Sequence, residues 1–353
     1  MTRTPGMGNR VPSASCFRDW VVRFGWVFAF SVAAWIAFGL LWKDDPATDD
    51  RLSGWIAFAA LFSDAFRFHL GFAVMGALAL ALIARGWKLT LVLVLLLVPT
   101  IGARVAMMPD RNWHTPVAGP SMTVMSANLL YGRGDDDRLI DQVRSVRPDL
   151  VFLQEFTPGE AELAAALRAE YPHAIELPQT DAFGMAVFSK LPFVEPPEIW
   201  QGPKGSRTPM IACVVELADE RIAVWNVHTL PPTGGRTTGA QRRMVAWIGQ
   251  QAEKTLGDSD GPVGLIIAGD FNATSRSNHL REIRAAGLIE VHADKGAGAG
   301  TTWPMRGIKR HFPGIRIDHV FVGGRLAPAS GWVGEDFGSD HLPVFGRMVL
   351  IPN

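Results

Sequence analysis

The stretch GLIIAGDFNAT, residues 264–274, decides how the second half of this 353-residue chain is interpreted. Aliphatic residues lead into Gly-Asp-Phe-Asn and then into a turn of small residues. This run predicts a buried strand that delivers Asp270 and Asn272 together at its end. Because Asp and Asn also end strands through ordinary turn hydrogen bonds, the stretch alone leaves both a turn and a functional site open.

Five other apolar runs also stop at side chains that can bind a metal or a phosphate. They are SANLL with Asn128, FLQE with Glu155, WNVHTLPP with His228, RIDHVFV with Asp318 and His319, and GSDHLPV with Asp340 and His341. Oxygen ligands without thiolates suit a hard cation, whereas a zinc site would need three or four His or Cys ligands. The set therefore predicts a Mg²⁺ or Mn²⁺ site built from strand ends.

Short apolar runs separated by Gly, Pro and Asp turns predict an α/β fold for the C-terminal two thirds of the chain. Predicted helices cover 137–146, 159–171, 239–255 and 278–287. Predicted strands cover 123–130, 150–155, 184–190, 210–217, 221–228, 264–271, 316–322 and 343–350. Many strands with helices between them, and neighbouring strands at 210–228, indicate a mixed-sheet sandwich covered by helices.

The motifs SxNL, LxxLQE, NVH, GDFN, RIDH and SDHLPV, in that order, resemble the endonuclease/exonuclease/phosphatase superfamily of deoxyribonuclease-I-like, metal-dependent phosphoesterases. The chain looks like a membrane-anchored, bacterial-type member, and the resemblance covers roughly residues 122–350. It implies a four-layered α/β sandwich, in which two mostly antiparallel sheets pack face to face with helices outside.

The same resemblance implies roles for the motif residues around a metal. Glu155 is expected to be the principal Mg²⁺ ligand, with Asn128 beside it and Asp340 as a further carboxylate of the metal site. Asp270 is expected to orient and deprotonate the attacking water.

A second group of residues is expected to contact the phosphate. The resemblance gives this role to Asn272 and His228, and it implies that His341, oriented by Asp318, binds the scissile phosphate or protonates the leaving oxygen. Arg207 lies in a loop and could approach a phosphate, although a solvated surface arginine is the alternative. His319 should point away from the site because side chains alternate along a strand.

The N-terminal region is rich in uncharged apolar runs, which raise the hydrophobic content of the chain to 48%. We predict a membrane region at 1–108 with transmembrane helices at about 24–42, 68–84 and 89–108, and an interfacial helix at 54–66. A linker at 109–120 and a catalytic domain at 121–353 follow. A cleaved signal peptide is the alternative for the first span, but its apolar run is longer than a signal core and ends in LLWKDD.

Charge at the ends of the predicted spans bears on orientation. The N-terminal side and the hairpin at 85–88 carry six basic residues, against five on the other side. Since cytoplasmic loops are enriched in Lys and Arg, this favours an inner-membrane protein with an extracytoplasmic C-terminal domain.

Neither Cys16 nor Cys213 has metal-ligand spacing, and two cysteines cannot form a disulfide framework.

The substrate class is left open between lipid and nucleic acid. Residues 120–353 contain 23 basic and 27 acidic residues, a net charge of −4, which disfavours tight sequence-independent binding of duplex DNA. Tethering to a bilayer raises the effective concentration of membrane-borne substrates and favours a lipid or envelope phosphodiester. A tethered nuclease and a non-catalytic phosphate-binding module are the alternatives, and no obligate protein partner is indicated.

Overall fold

The computed structural model describes residues 14–42, 51–105, 108, 118–206, 208–275 and 277–352. Most of the predicted linker, residues 109–117, and the predicted phosphate contact Arg207 lie outside these ranges. Cys16 is exposed, Cys213 is buried, and both are free thiols.

Four helices come first: α1 (Ala14–Leu41), α2 (Arg51–Ala65), α3 (Arg67–Ile83) and α4 (Trp87–Val105). Over Cys16–Leu41 and Trp87–Val105 the chain is long and apolar enough to cross a membrane. Helices α2 and α3 meet that criterion only as a pair, which is bent by 66° between them. Three spans therefore stay a prediction, whereas two candidate spans are present.

Helices α1, α3 and α4 pack together around the buried residues Val32, Val74 and Leu93. Helix α2 instead lies on the C-terminal domain. Its Leu61 belongs to the same apolar cluster as Met244 in the longest helix of that domain. The bend between α2 and α3 thus turns the chain from the helical bundle onto the surface of the domain.

The C-terminal domain contains twelve strands and five α-helices within the described residues. The helices are α5 (Asp136–Val146), α6 (Ala161–Arg168), α7 (Gly235–Gly257), α8 (Arg281–Ala285) and α9 (Val291–Lys295). The strands are β1 (Ser121–Asn128), β2 (Leu150–Gln154), β3 (His173–Leu177), β4 (Met185–Ser189), β5 (Glu198–Gln201), β6 (Pro209–Leu217), β7 (Glu220–His228), β8 (Gly264–Asp270), β9 (Ile289–Glu290), β10 (Asp318–Gly324), β11 (Leu326–Val333) and β12 (Val344–Leu350).

The strands form two six-stranded sheets, with the orders β11-β12-β1-β2-β4-β3 and β5-β6-β7-β8-β10-β9. Each sheet has one parallel pair at its centre, β1 with β2 and β7 with β8, and its other pairs are antiparallel. Apolar residues such as Val124, Phe152 and Ile266 fill the space between the sheets. Helices α5 and α6 cover one outer face, and α7 and α8 cover the other. The predicted four-layered sandwich is confirmed.

Every strand and helix predicted in the C-terminal domain is present, with bounds shifted by a few residues. The predicted helix at 159–171 ends at Arg168, and the one at 278–287 begins as a 3₁₀ turn before α8. Four strands were not predicted: β3, β5, β9 and β11. Strands β3, β5 and β11 lie at sheet edges and are partly exposed, while β9 has two residues, so none carries a clear apolar pattern.

Gly269 is the residue on which the end of β8 depends. Its φ is +148°, and a Cβ atom there would lie 1.7 Å from the carbonyl oxygen of Val227. We expect Gly269→Ala to lower the free energy of unfolding by about 3 kcal/mol or more, because the new methyl group forces β7 and β8 apart. Thermal or denaturant unfolding measures this. The matched control is Gly257→Ala, where no atom lies within 4 Å of the new Cβ; equal stability of the two variants would contradict the prediction.

Candidate active site

The two sheets bring their polar strand ends to one edge of the sandwich. Parallel strands end at the same edge, so β1 and β2 place Asn128 and Glu155 together, and β7 and β8 place His228 opposite Asp270. Strand β10 runs antiparallel to β8 and begins with Asp318 opposite Asp270. Strand β12 runs antiparallel to β1, so the residues before Val344, including His341, reach the same edge.

Asp270 lies at the centre of this cluster and is buried. Its Oδ2 accepts hydrogen bonds from the amides of Asn128 at 3.1 Å and Asn272 at 3.2 Å, and its Oδ1 accepts from the backbone N–H of Asn272 at 2.8 Å. Burial raises the pKa of Asp270, and the negative charge of Asp318 raises it further. The carboxylate is thus held in place and is more basic than an exposed aspartate.

Two carboxylate oxygens at this edge are suited to a cation. Oε2 of Glu155 and Oδ1 of Asp340 are both buried and have no hydrogen-bond partner among the described residues. The other oxygens of these groups are held, Glu155 Oε1 by Asn128 at 3.2 Å and Asp340 Oδ2 by the indole N–H of Trp303 at 3.2 Å. Because a buried, unpartnered carboxylate oxygen is costly, this arrangement fits a hard cation bound by Glu155 and Asp340.

A second group, Asp270, Asp318 and His341, also offers ligand atoms that lie within 4.8 Å of one another. In that group Nδ1 of His341 already donates to Asp318, at 2.9 Å from Oδ2 and 3.1 Å from Oδ1. We favour Glu155 and Asp340 for the cation, since their oxygens are unsatisfied whereas the Asp318–His341 pair satisfies itself.

Asp318 holds the ring of His341 so that its Nε2 faces the cluster, 3.9 Å from Asp270 Oδ2 and 4.0 Å from Asp340 Oδ1. Burial by itself lowers the pKa of the ring, but Asp318 and Asp270 outweigh it and raise the pKa of His341 well above its usual range. The ring is therefore an imidazolium at neutral pH, and Nε2 is a proton donor.

His228 has the opposite character. Its Nδ1 donates to the carbonyl oxygen of Ala182 at 3.0 Å, and burial and the nearby His341 lower its pKa to about 4. The neutral ring thus presents an acceptor Nε2, 3.6 Å from Asp270 Oδ2 and 4.0 Å from Glu155 Oε1. A phosphate contact by His228 stays a prediction, and this geometry favours an acceptor for water or a metal ligand instead.

Asn272 lies beside Asp270 with φ +49°, and Glu155 has φ +55°, both in the left-handed region that non-glycine residues rarely adopt. The amide of Asn272 donates to the carbonyl oxygen of Thr229 at 2.9 Å as well as to Asp270, so both of its N–H groups are used within the protein. Its predicted phosphate contact stays a prediction.

His319 points away from the cluster around Asp270, with its ring nitrogens 2.9 Å from Glu290 and 2.8 Å from the carbonyl oxygen of Ala273.

Residues that support the site were not singled out from the sequence, although they lie inside the motifs. Buried Gln154 donates to Asn226 at 2.7 Å and to Ser126 at 3.1 Å, and Asn226 donates to the carbonyl oxygens of Leu153 and Ala186. Ser339 donates to the carbonyl oxygen of Asn128 at 2.8 Å and accepts from the N–H of His341 at 3.1 Å. The sequence pattern that could have identified them is a polar residue within or beside an apolar run, close to a candidate site residue.

Known proteins with similar structures come from bacteria and animals. They include an endonuclease/exonuclease/phosphatase of Beutenbergia cavernae (21% identity, 66% of this chain and 72% of that chain, TM-score 0.51), TDP2 of D. rerio in complex with a single-strand DNA product (16%, 65% and 98%, 0.51), and the mannosyl-6-phosphatase of Bacteroides thetaiotaomicron (18%, 65% and 100%, 0.50). Identities this low show a shared fold. No curated protein matches the sequence significantly.

The sequence of residues 125–341 matches the Endonuclease/Exonuclease/phosphatase family, and this match covers more than half of the chain. Its members hydrolyse phosphoester bonds and are generally dependent on a divalent metal. From Asn128 to His341, the strand ends that assemble the edge cluster fall within the matched range, and the chain belongs to the endonuclease/exonuclease/phosphatase family.

Proposed function

We propose that this protein is a membrane-anchored, metal-dependent phosphodiesterase that hydrolyses a lipid or envelope phosphoester. The observation that carries the proposal is the amide of Asn128, which donates to both Glu155 and Asp270. This amide joins Glu155, the proposed cation ligand, to Asp270, the proposed base. The imidazolium of His341 lies close to Asp270, with Nε2 3.9 Å from Oδ2. A base, an acid and a pair of cation ligands thus share one buried edge.

The reaction follows from the protonation states of these groups. Asp270 Oδ2 and His228 Nε2 are two acceptors 3.6 Å apart, and one water can donate a hydrogen to each. As the water oxygen forms a bond to phosphorus, Asp270 takes its proton. The ester P–O bond breaks, and His341 Nε2 gives a proton to the departing oxygen, so the products are a phosphomonoester and an alcohol.

A Mg²⁺ or Mn²⁺ ion held by Glu155 and Asp340 would supply positive charge near the nonbridging phosphate oxygens, where negative charge grows in the transition state. Asn128 positions Glu155 for that role, and Trp303 positions Asp340. A phosphate contact was predicted for Asn272 from the sequence; we assign it instead the role of positioning Asp270, because its amide already donates to Asp270 and to the carbonyl oxygen of Thr229.

A lipid substrate is supported by the helices that precede the domain. Helix α1 ends beside the domain, where the carbonyl oxygen of Trp42 accepts from Asn278 at 2.8 Å, and α4 ends where Arg104 donates to the carbonyl oxygen of Gly314 at 3.0 Å. Two candidate spans thus end at the domain, so the catalytic edge stays close to the bilayer. An amphiphilic phosphoester in that bilayer is the substrate with the highest effective concentration.

A membrane-tethered nuclease is the second candidate. The segment Gly307–His311 is exposed and contains Lys309 and Arg310, with exposed Phe312 directly after it, and cations interleaved with aromatic residues suit single-stranded nucleic acid. The D. rerio protein named above was solved with a single-strand DNA product. Comparing hydrolysis of lipid vesicles, single-stranded DNA and duplex DNA by one preparation distinguishes the two candidates.

We expect Asp270→Asn to lower kcat/KM for a phosphodiester by about 10²–10⁴-fold, because the amide cannot accept the proton of water. The wild-type protein should also lose activity in chelator and regain it with Mg²⁺ or Mn²⁺. Hydrolysis of bis(4-nitrophenyl) phosphate measures both effects. Asp260→Asn on the exposed surface is the control that leaves the rate unchanged. Wild-type activity that persists in chelator, or that survives in Asp270→Asn, rules out this mechanism.

The activity should depend on pH through His341. Because its pKa is raised, the proton-donating form persists into alkaline solution, and the alkaline limb of kcat/KM should appear where the pH rises through that pKa. Asp318→Asn removes a negative charge, lowers the pKa of His341 and should move the alkaline limb down by about one to three pH units. A pH–rate profile measures the limb. If the limb stays in place in Asp318→Asn, the group that titrates is not His341.

We further propose that the domain faces away from the cytoplasm in an inner membrane, as the distribution of basic residues favours. An alkaline phosphatase fused after Asn353 should then be active in a bacterial host, and the same enzyme fused at Gly86 in the α3–α4 hairpin should be inactive. The hairpin fusion is the matched control because it tests the opposite side. Activity of the hairpin fusion alone would reverse the orientation.

A further inference from the structure

An apolar groove separates α2 from the catalytic edge, and no step of the reaction above uses it. It has a volume of about 270 Å³. One wall is helix α2, with Phe58, Phe62 and Ala65, together with Phe66 at the bend between α2 and α3. The other wall comes from the domain, in three segments that follow β7, follow β8 and precede β10. We call this cavity, between α2 and those segments, the α2 groove.

The α2 groove reaches the catalytic site through Asn272. This residue lines the groove and also donates to Asp270, the proposed base. Trp303 lines it too, and its indole N–H holds Asp340, a proposed cation ligand. A molecule in the groove therefore lies next to the two residues that position both halves of the catalytic site.

The other direction leads toward the helical bundle. An adjoining cavity of about 320 Å³ shares Phe66, Trp303 and Ile315 with the groove and extends to Lys309 and Phe312. Pro313 and Gly314 of its lining contact the N-terminal helices: the carbonyl oxygen of Pro313 accepts from His69 in α3, and that of Gly314 accepts from Arg104 in α4. The two cavities together run from the catalytic site to the ends of α3 and α4.

The chemistry of the lining selects the ligand. Aromatic and aliphatic side chains form most of it, and polar groups that reach it are already used, as Thr274 is by Asp64 in α2 at 3.2 Å. A sugar or nucleobase placed there would lose hydrogen bonds to water and gain none in return. A hydrocarbon chain loses nothing and is driven in by the hydrophobic effect.

We propose that the α2 groove binds the hydrocarbon chain of an amphiphilic phosphoester whose phosphate lies at Asp270. This inference rests on the proposed function and specifies its substrate as a single molecule with a phosphate head and an alkyl tail. The tail runs between α2 and Trp303 toward His69 near the start of α3 and Arg104 near the end of α4. Helix α2 is thus part of the substrate-binding site as well as part of the anchor.

A series of 4-nitrophenyl alkyl phosphodiesters tests the proposal on the full chain in detergent. The reacting phosphorus and the leaving group stay constant, and the alkyl chain grows from methyl to dodecyl. Each methylene that enters the groove should raise kcat/KM about fourfold until the groove is full. A wild-type kcat/KM that does not rise with chain length overturns the proposal.

The test variant is Ala65→Trp, which fills the groove with an indole ring. We expect the ratio of kcat/KM for the dodecyl ester to kcat/KM for the methyl ester to fall toward one, because the chain no longer has a binding site. Its control is Ala73→Trp, at an exposed position on α3 that lines neither cavity, where the ratio should equal that of the wild type. Since partitioning of the esters into micelles is the same for both variants, an equal fall in both also overturns the proposal.

Photo-crosslinking separates failure of this inference from failure of the proposed function. A dodecyl phosphate with a diazirine near the middle of its chain should label the peptide that contains Phe58–Phe66 in the wild type and in Glu155→Gln, which should not hydrolyse esters. Excess dodecyl phosphate should compete, methyl phosphate should not, and Ala65→Trp should reduce labelling. Labelling confined to α1, α3 and α4, or no labelling at all, overturns the inference whatever the hydrolytic activity.

Discussion

The candidate active site depends on the buried hydrogen bond between Gln154 and Asn226. This bond joins β2 in one sheet to β7 in the other at 2.7 Å, and Asn226 also donates to the carbonyl oxygens of Leu153 and Ala186. Gln154 precedes Glu155 directly, and Asn226 lies two residues before His228. Because the network is satisfied and fully buried, it sets the two sheets in one relative position. The functional side chains then meet across the gap between the sheets, which neither sheet could achieve alone.

The site concentrates negative charge where water is largely excluded, and its geometry reflects how that charge is balanced. Asp318 and Asp270 are close enough to hold His341 as an imidazolium, while Asn128 divides its amide between Glu155 and Asp270. Burial still raises the pKa of Glu155 and of Asp270, which shows that these partners do not fully offset the cost of burying their negative charge. The unpartnered oxygens, Glu155 Oε2 and Asp340 Oδ1, mark the side where negative charge is left uncompensated among the described residues. A divalent cation on that side would lower the pKa of both carboxyl groups by favouring their charged forms. A cation bound there would therefore also change the basicity of Asp270.

Helix α2 connects the N-terminal helices to the C-terminal domain beside the candidate active site. An interfacial helix was expected at 54–66, and α2 occupies that stretch, but its Leu61 packs into the same cluster as residues of α7 and its Asp64 bonds to Thr274, four residues after Asp270. The aromatic residues of α2 thus form one wall of a cavity whose other wall supports the catalytic residues. If the helices lie in a bilayer, the active site and the membrane surface share this element.

Residues 264–274 show what was decided at each level. Apolar periodicity and turn residues predicted β8 and the polar residues at its end, and the same reasoning located every strand that carries a candidate site residue, because a buried central strand is apolar over most of its length. Edge strands such as β5 escaped prediction because their partners, more than their composition, make them strands. The sequence by itself determined which side chains are available and, through the family motifs, the class of chemistry. Only the tertiary structure decided that the amide of Asn128 donates to two carboxylates and that α2 borders the site. It also decided that the ring of His228 is an acceptor while that of His341 is a donor. These features depend on which groups from segments distant in the chain are buried side by side.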